Sequence, residues 1–386
     1  MFTSMFRKAM LGDTATLALD FTTGTMPTAV TFTRADSTAR ATYIDASGYV
    51  KTVASAGDPR FDYTGGVAKG LLIEAGATNI IPYSNAFTSG SWYLGGTPAT
   101  LTSNYAVGPD GVTGSAWRFQ GALTNAVFAT PISNGAAAHL VSIYAKSNTG
   151  SNQTFTIYNG SSGTTCTATN VWQRFQVSVA GTWPYAYFGT LGTNQDILIY
   201  GAQSEVGAST ASSYIPTGAS ALTRLADDAV IRSTAWTSLY AQPGAMVVEF
   251  YRGAYGATDR SIMCTDPTAA RHWHLKSANA SATAQIAFST GSPVTQTGLT
   301  AGLNKVAIAW NAPTPTASFD LCVNGATPTF GGSNVGTTLS TWLTLGSQST
   351  TGVSGSGTWN AYLNNSIKSV KYYNALTYAE MQAKTT

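Results

Sequence analysis

Apolar and polar residues alternate over short runs along most of the chain, and clusters of Gly, Asn, Ser and Pro separate the runs. Alternation is typical of strands with one buried face, because successive side chains of a strand point to opposite faces of its sheet. Many short strands with frequent turn residues indicate β-sandwiches, so we expect an all-β fold. The clearest runs are Ala116–Gln120, Leu140–Lys146, Thr154–Tyr158, Gln173–Ala180, Ala186–Gly189, Asp196–Gln203, Met246–Tyr251 and Gly302–Trp310.

Two short segments show a helical pattern instead. One is Met5–Leu11 near the N-terminus, and the other is Thr377–Lys384 near the C-terminus. In the second segment Thr377 precedes the helical run and Glu380 lies three residues on, which is the arrangement of a capping box. We therefore predict that Thr377 caps a C-terminal helix.

The chain has 386 residues, which is more than one hydrophobic core usually serves. We predict three parts: an N-terminal segment over residues 1–80, a first sandwich over 81–222 and a second over 223–386. The N-terminal segment carries too few strands for a core of its own, so it must pack on something else. Residues 1–20 lack a hydrophobic face, and they either dock onto a partner subunit or form a frayed tail.

The chain is poor in charge. Charged residues make up 10% of it, against roughly 25% in ordinary soluble domains. A polar but mostly uncharged surface suits a protein held in a large assembly, although a secreted β protein of ordinary composition remains the alternative. The formal net charge is +3 and no basic run exceeds Arg7–Lys8, so a nucleic-acid partner is not expected.

The cysteines give no sign of a disulfide framework or a zinc site. Cys166, Cys264 and Cys322 are scattered and odd in number, so we expect them to be buried small side chains. The chain shows no signal-peptide pattern and no apolar stretch of about 20 residues, so membrane insertion is not expected.

The acidic residues do not form the pair that glycoside hydrolysis needs. Two carboxyl groups must face one cleft at roughly 5–10 Å, and a strand can supply them at alternate positions. Glu249 has no acid two positions away, while Asp227 and Asp228 are adjacent and would point to opposite faces. The serines lack a nucleophile-elbow pattern, and we therefore predict that the protein is not an enzyme.

The histidines offer a weak metal hypothesis. His272 and His274 alternate on one predicted strand, so they either bind a metal together or lie on a solvated strand, and the second is favoured because no third ligand is near. Calcium would have to use Asp320 or Asp266, because Asn and Ser fill the other loop positions. We expect no cofactor.

Aromatic side chains are the remaining candidates for binding a ligand, and the chain has 9 Trp, 19 Tyr and 15 Phe. Sugar rings stack their C–H faces on Trp and Tyr, while amides and hydroxyls bind the ring edges. Trp183, Tyr185 and Tyr187 alternate on one face of a predicted strand, and this face is either a glycan platform or part of the core. The core is favoured, because large aromatic side chains usually pack inside. Trp92 and Trp273 are further glycan-binding candidates with the same ambiguity.

Several phrases resemble bacteriophage virion proteins of the tail-fibre and head-fibre type. They are FTR at Phe32–Arg34, the YxDxxG turn over Tyr43–Gly48, the PRFDY and GLLIE phrases within Pro59–Asn85, and the YIPT linker within Ser212–Ile231. In such proteins these phrases recur in this order. The chain departs from the pattern at Gly76–Ala77, where an acidic residue and Arg are usual.

The two predicted sandwiches carry resemblances of their own. Residues 81–222 resemble jelly-roll carbohydrate-binding modules of phage fibres, since Asp196–Tyr200 is followed by GAQSEVG. Residues 223–386 resemble laminin-G and concanavalin A-like lectin sandwiches in the order of GLNKVAIAW, SFDLCVNG and LTLGSQS. The resemblance thus implies an N-terminal attachment segment, a jelly roll and a concanavalin A-like or laminin-G-like domain.

The resemblance also implies a role. It points to a virion component assembled in the host cytoplasm, often a homotrimer, with other virion proteins, its own copies and host surface polysaccharide as partners. A tail fibre or receptor-binding protein is the leading interpretation, a capsid decoration or head-fibre protein the alternative, and a capsular depolymerase is disfavoured by the missing carboxylate pair. The residues expected to attach the chain to the particle are Phe2, Met5, Phe6, Arg7, Met10 and Leu11.

The Pro59–Asn85 stretch is interpreted as a structural joint, where the N-terminal segment meets the first sandwich. Its apolar residues supply contacts that the N-terminal segment lacks, and they are Phe61, Tyr63, Leu71, Leu72 and Ile73. We expect truncation before Asn79 to leave soluble sandwiches that no longer join the particle.

Overall fold

The computed structural model describes residues 15–96, 99–121, 127–189, 195–232, 234–253, 259–265, 273–278, 282–288, 293–310, 316–335, 342–347 and 362–386. In chain order its strands are β1 (Leu17–Asp20), β2 (Val30–Thr33), β3 (Thr42–Ile44), β4 (Val50–Thr52), β5 (Phe61–Thr64), β6 (Val67–Ile73), β7 (Ala77–Asn79), β8 (Tyr93–Gly95), β9 (Ala99–Ala106), β10 (Ala116–Gly121), β11 (Val127–Pro131), β12 (His139–Ser147), β13 (Gln153–Tyr158), β14 (Gly163–Ala168), β15 (Gln173–Val179), β16 (Tyr185–Gly189), β17 (Gln195–Val206), β18 (Leu222–Arg224), β19 (Asp228–Arg232), β20 (Gly244–Arg252), β21 (Arg260–Thr265), β22 (Trp273–Ser277), β23 (Thr283–Phe288), β24 (Val294–Thr297), β25 (Gly302–Trp310), β26 (Thr316–Val323), β27 (Thr329–Val335), β28 (Trp342–Leu345) and β29 (Asn365–Tyr373). The protein is all-β, as the alternation predicts.

The helices within these ranges are short. They are α1 (Thr234–Tyr240), which the sequence pattern did not indicate, and α2 (Tyr378–Thr385), which it predicted. The predicted helix over Met5–Leu11 lies outside the described residues. In the part of the chain that is described, no helix has the length and apolar character to cross a membrane.

Two compact units share the chain, and each is built from separate stretches of it. Unit 1 contains the described residues up to Arg34, together with Gly57–Ala75 and Ala226–Thr386. Unit 2 contains Ala35–Ala56 and Gly76–Leu225. The backbone therefore passes from one unit to the other four times.

Unit 1 is a β-sandwich. Among the described residues, one antiparallel sheet has the order β27-β26-β25-β20-β29-β6-β5 with β1 also paired to β29, and the other has the order β2-β19-β28-β21-β22-β23-β24. Met246, Val248 and Phe250 of β20 pack in one core cluster with Ile231 and Leu343 of the facing sheet. These three residues therefore share the buried face of β20, as alternation over Met246–Tyr251 predicts.

Unit 2 is a second sandwich. In the ranges above, its two main sheets have the orders β15-β12-β17-β10-β9 and β14-β13-β16-β11-β8, and the pairs β3-β4 and β18-β7 accompany them. Ile143 of β12 and Ile199 of β17 pack against Phe155 of β13 and Phe188 of β16 in a shared core. The β3–β4 hairpin turns where the sequence predicts it, with Gly48 at φ 82° and the Asp45 carboxylate accepting from Ser47 N at 2.9 Å.

The N-terminal segment is divided between the units, which differs from the predicted three-part division. Strands β1, β2, β5 and β6 belong to the sheets of unit 1, whereas β3, β4 and β7 belong to unit 2. Alone, these strands would have too few neighbouring strands and no hydrophobic core. The two units supply both. Truncation before Asn79 would remove β1–β6 and two of the three residues of β7, so the structure argues against the expectation of intact soluble sandwiches.

Charged residues of the FTR, PRFDY and GLLIE phrases and of the Ser212–Ile231 stretch meet in a buried charge network inside unit 1. The Asp227 carboxylate pairs with Arg34 Nη1 at 3.0 Å and with Arg60 Nη2, and it also accepts from Glu74 N at 2.9 Å. Arg60 Nη1 lies 2.6 Å from Glu74 Oε2, and Arg34 Nη2 donates to Asp58 O at 3.0 Å. The four ionised side chains are at most 6% exposed. The network thus links the three stretches of unit 1 close to the points where the chain leaves and re-enters it.

The joint also has the predicted apolar part. Leu71 and Ile73 of β6 are fully buried in the core of unit 1, and Leu72 is 8% exposed. Phe61 packs against the same core while partly exposed. The chain does pass from unit 1 to unit 2 within Pro59–Asn85, but these apolar residues pack with the C-terminal stretch and not against the predicted first sandwich.

The cap of α2 gives a first testable prediction. Thr377 Oγ1 accepts from Glu380 N at 3.3 Å and Glu380 Oε2 accepts from Thr377 N at 2.6 Å, which confirms the predicted capping box. We expect Thr377→Ala to lower the free energy of unfolding by about 1 kcal/mol, measured by urea denaturation, because the Glu380 N–H loses its acceptor and the Glu380 carboxylate loses the Thr377 hydroxyl. Thr377→Ser keeps the hydroxyl and is the control, and equal losses in both variants would contradict the assignment.

An ion pair in unit 2 gives a second prediction, on pH dependence. Arg118 of β10 donates to both carboxylate oxygens of Asp196 in β17, at 2.7 and 2.6 Å, and these bonds lower the pKa of Asp196 despite its partial burial. A carboxyl with a lowered pKa in the folded state stabilises the fold above its unfolded pKa of about 4, and this contribution is lost as the pH falls toward the folded value. We therefore expect the thermal unfolding midpoint of Asp196→Asn to fall less between pH 7 and pH 3 than that of the unaltered chain. Equal falls would contradict the linkage.

Candidate functional site

Alternation along β16 places aromatic side chains on the face of its sheet opposite the core. Ala186 and Phe188 are fully buried within the core of unit 2. Tyr185 and Tyr187 therefore point to the other face, where both are partly exposed. The alternative that the predicted aromatic face is the inner side of the sandwich is thus excluded for these two tyrosines.

Four rings cluster on this outer side. The ring centroid of Trp183 lies 4.8 Å from that of Tyr158, 5.4 Å from Tyr185 and 6.3 Å from Tyr187. The Tyr158 and Tyr187 centroids are 5.7 Å apart. These spacings are typical of mutually packed aromatic pairs. We call Tyr158, Trp183, Tyr185 and Tyr187, with Tyr93 beside them, the aromatic face.

Tyr93 extends the aromatic face along one row of the sheet. Ala129 of β11 is in register with Tyr187 of β16 on one side and with Tyr93 of β8 on the other. Ala129 is fully buried, although it lies on the outer side of the sheet, while Tyr93 is 44% exposed. Tyr187 and Tyr93 therefore flank Ala129 in one row on the outer side of the sheet, and Ala129 itself is covered.

Local turns position Trp183. Trp183 N donates to Ala180 O at 3.0 Å, and Ala180 N donates to Asn159 O at 3.0 Å. Gly160 has φ 95°, and a Cβ at this position would lie 2.9 Å from Trp183 Cβ. Gly160 is therefore required both by its left-handed backbone and by the close approach of the indole. Trp183 also packs partly against the core of unit 2, which limits the freedom of its ring.

Exposed threonines lie beside the aromatic face, on the same outer side of the sheet. Phe155 and Cys166 point into the core, so Thr154 of β13 and Thr165 and Thr167 of β14 lie on the outer side, where all three are exposed. A hydroxyl group both donates and accepts hydrogen bonds. The aromatic face is thus bordered by neutral groups that can bind the edge of a polar ligand.

The phenols of Tyr93 and Tyr187 remain neutral at physiological pH. Burial raises the pKa of Tyr93, and the neighbouring Tyr187 and Tyr185 raise it further. Burial, followed by the nearby Tyr158, raises the pKa of Tyr187. These hydroxyls therefore act as uncharged donors and acceptors.

The other two aromatic candidates belong to the cores, so the prediction that they bind glycans is not supported. Trp92 is 7% exposed, its Nε1 donates to Tyr83 O at 3.1 Å, and its ring lies 5.0 Å from Phe87. Trp273 is fully buried, 6.4 Å from the Trp236 ring. Neither indole offers an open ring face. The predicted attachment residues Phe2, Met5, Phe6, Arg7, Met10 and Leu11 lie outside the described residues.

The acids that the sequence singled out have structural partners. Asp227 is part of the buried network, and Glu249 pairs with Lys368 at 3.0 Å. Asp228 begins β19, and burial raises its pKa although Arg232 and Ser347 oppose this shift. These positions do not converge on a cleft with an acid and a base.

The candidate metal-binding residues that the structure describes make hydrogen bonds to other side chains of the protein. His274 is 3% exposed with Nε2 at 3.0 Å from Ser261 Oγ, so the expected solvated strand is wrong for this residue. His272 and Asp266 lie outside the described residues. Tyr378 donates to Asp320 Oδ1 at 3.3 Å. No three His, Cys, Asp or Glu side chains gather into a possible metal site within the described ranges.

The three cysteines are buried, as the sequence predicts, and they form no disulfide with one another. Burial raises the pKa of Cys166 to about 11, and burial also raises that of Cys322. Such thiols are protonated at neutral pH and therefore weak nucleophiles.

Comparison with known proteins gives distant structural likenesses. No protein-family model and no curated protein matches the sequence. The CBM40 of Ruminococcus gnavus IT-sialidase, solved with α2,3 sialyllactose, has a TM-score of 0.30 and 18% identity, covering 39% of this chain and 86% of that one. The CBM22-1-CBM22-2 tandem domain of Paenibacillus barcinonensis Xyn10C has a TM-score of 0.26 and 9% identity, covering 78% and 96%. Domains LG4-5 of the mouse laminin α1 chain have a TM-score of 0.24 and 10% identity, covering 72% and 91%. At these scores, function must be argued from the chain's own residues.

Proposed function

We propose that the protein is a non-catalytic glycan-binding protein and that the aromatic face of unit 2 is its binding site. The observation that carries this proposal is the cluster of partly exposed rings on the outer side of a rigid sheet, with centroids 4.8–6.3 Å apart. Pyranose rings stack their C–H faces on such side chains, and the bordering threonine hydroxyls and neutral phenols suit sugar hydroxyl groups.

The proposed wider role is that of a structural bacteriophage virion protein, a tail fibre or receptor-binding protein. The order of the FTR, PRFDY, GLLIE and YIPT phrases supports it, as does a surface with few charges. In this role the N-terminal residues attach the chain to other virion proteins, three copies associate, and the sandwiches meet host surface polysaccharide. A capsid decoration or head-fibre protein is the alternative for the same architecture.

Glycan binding is tested directly with the purified full-length chain on an array of bacterial surface polysaccharides. We expect retention by at least one polysaccharide without release of reducing ends, because the candidate acids Asp227 and Glu249 are held in ion pairs. Retention by none of them would refute the glycan proposal, and release of reducing ends would instead support a depolymerase.

The virion role needs a separate test. We expect the purified chain to compete with the phage that carries it for adsorption to host cells and to run as a trimer in size-exclusion chromatography with light scattering. Failure to compete, together with immunogold labelling of capsids, would favour the decoration protein. A stable monomer would contradict the trimeric fibre.

A further inference from the structure

Unit 2 has a cavity of about 230 Å³ on its other main sheet, away from the aromatic face. It lies between the β3–β4 hairpin and the outer side of β17, whose Ile199 points into the core while Tyr200 points outward. The residues that line it are Thr42, Val50, Lys51, Thr52, Asp110, Val112, Tyr200, Tyr214 and Pro216.

Two tyrosines form a fixed wall of the cavity. Tyr200 is 9% exposed and Tyr214 2%, and their ring centroids are 5.6 Å apart at an angle of 62°. The Tyr214 hydroxyl lies 2.7 Å from Ser84 Oγ, and Thr42 Oγ1 donates to Tyr214 O at 2.5 Å. The wall is thus preorganised by side-chain bonds on both of its sides.

A lysine and an aspartate supply opposite charges at the cavity. Lys51 Nζ donates to Asp110 O at 2.7 Å and lies 5.0 Å from the centre of the Tyr49 ring, so an ammonium with three hydrogens has donors to spare. Asp110 Oδ1 accepts from Val112 N at 3.0 Å and from Ser115 Oγ at 2.5 Å, which fixes the carboxylate while leaving acceptor capacity. The two charges balance, so the cavity does not select for a charged ligand.

We infer that this cavity is a second ligand site, which takes one neutral pyranose residue. The volume of about 230 Å³ suits a small ligand of the size of a single sugar ring and not a long chain. The ammonium and the carboxylate bind neighbouring hydroxyl groups as donor and acceptor. Val50, Pro216 and the tyrosine wall provide apolar contacts for the C–H faces of the ring. The inference does not depend on the aromatic face, which belongs to the other sheet.

Ligand-observed saturation-transfer NMR on the full chain tests this site, with methyl glycosides of glucose, galactose, mannose and N-acetylglucosamine as neutral probes and methyl glucuronide as the charged one. The background variant is Trp183→Ala/Tyr187→Ala, which disables the aromatic face. We expect at least one neutral probe to bind, and Lys51→Met to weaken its binding about tenfold through loss of a charge-assisted hydrogen bond.

A second variant distinguishes loss of the binding site from misfolding. Val112 is 54% exposed at the cavity, so Val112→Trp should block the opening without disturbing a core, and we expect it to abolish binding of the neutral probe. Binding by none of the neutral probes, a preference for the glucuronide, or unchanged binding in Val112→Trp would overturn the inference. Because the background already lacks the aromatic face, these outcomes are distinguishable from failure of the proposed glycan function.

Discussion

Replacement of Asp227 by Asn is expected to lower the free energy of unfolding by about 3–5 kcal/mol. The carboxylate is the common partner of Arg34 and Arg60, whose side chains are fully buried. Its loss leaves two guanidinium groups in a low-dielectric interior with Glu74 as the remaining partner of Arg60. Urea denaturation followed by tryptophan fluorescence measures the effect, and hydrogen exchange should show it in β6 and β19.

Glu249→Gln is the matched control for this prediction, since it also converts a carboxylate to an amide. Glu249 pairs with Lys368, and their side chains are 17% and 33% exposed. An ion pair of this kind contributes about 0–1 kcal/mol. If Asp227→Asn were no more destabilising than Glu249→Gln, the buried network would not stabilise the joint of unit 1.

The second large effect is expected on binding. Trp183→Ala and Tyr187→Ala should each weaken the affinity for a retained glycan at least tenfold, about 1.4 kcal/mol, because stacked aromatic side chains contribute most of the free energy at such sites. Isothermal titration calorimetry with the glycan found on the array measures the loss. Tyr187→Phe keeps the ring and should retain most of the affinity.

An exposed tyrosine outside the aromatic face serves as the control for the loss of an exposed ring. Tyr378 in α2 of unit 1 is 47% exposed, comparable to Tyr93 of the aromatic face at 44%. We expect Tyr378→Ala to leave glycan affinity unchanged. Equal losses in Tyr378→Ala and Tyr187→Ala would show that the aromatic face is not the site.

Alternation predicted the strands well because it depends only on neighbouring residues. The run Met246–Tyr251 lies within β20, and Leu140–Lys146 within β12. The choice of partner strand depends on contacts between distant parts of the chain, and alternation carries no information on it. Strand β6 pairs with β29 nearly 300 residues later, so the division of the N-terminal segment between two units could not be predicted.

The aromatic face also could be predicted only in part, because alternation does not reveal which face of a strand packs in the core. The phrase TWPYAYFG placed Trp183, Tyr185 and Tyr187 together correctly, but the intervening Ala186 and Phe188 are also apolar. Both faces of β16 therefore had the composition of a core, and only the packing of Phe188 within the sandwich decides between them. The same composition misled the prediction for Trp92 and Trp273, because a single tryptophan does not reveal which side of a sheet it faces.

The buried network was visible in the sequence only as separate charges. Arg34, Arg60, Glu74 and Asp227 stand in the phrases that carry the family resemblance, in a chain with few charged residues. Their pairing spans up to 193 positions, which no local pattern encodes. A buried charge requires a partner, so the concentration of charges in these phrases is the signal that would have pointed to the network.

The indole N–H resonance of Trp183 tests glycan binding at the aromatic face most directly. It is followed in uniformly 15N-labelled full-length protein during titration with the retained glycan, and Trp183→Phe assigns the signal. The account predicts a saturable shift of this resonance while the signals of the fully buried Trp236 and Trp273 stay in place. Saturation of binding with an unmoved Trp183 resonance would contradict it.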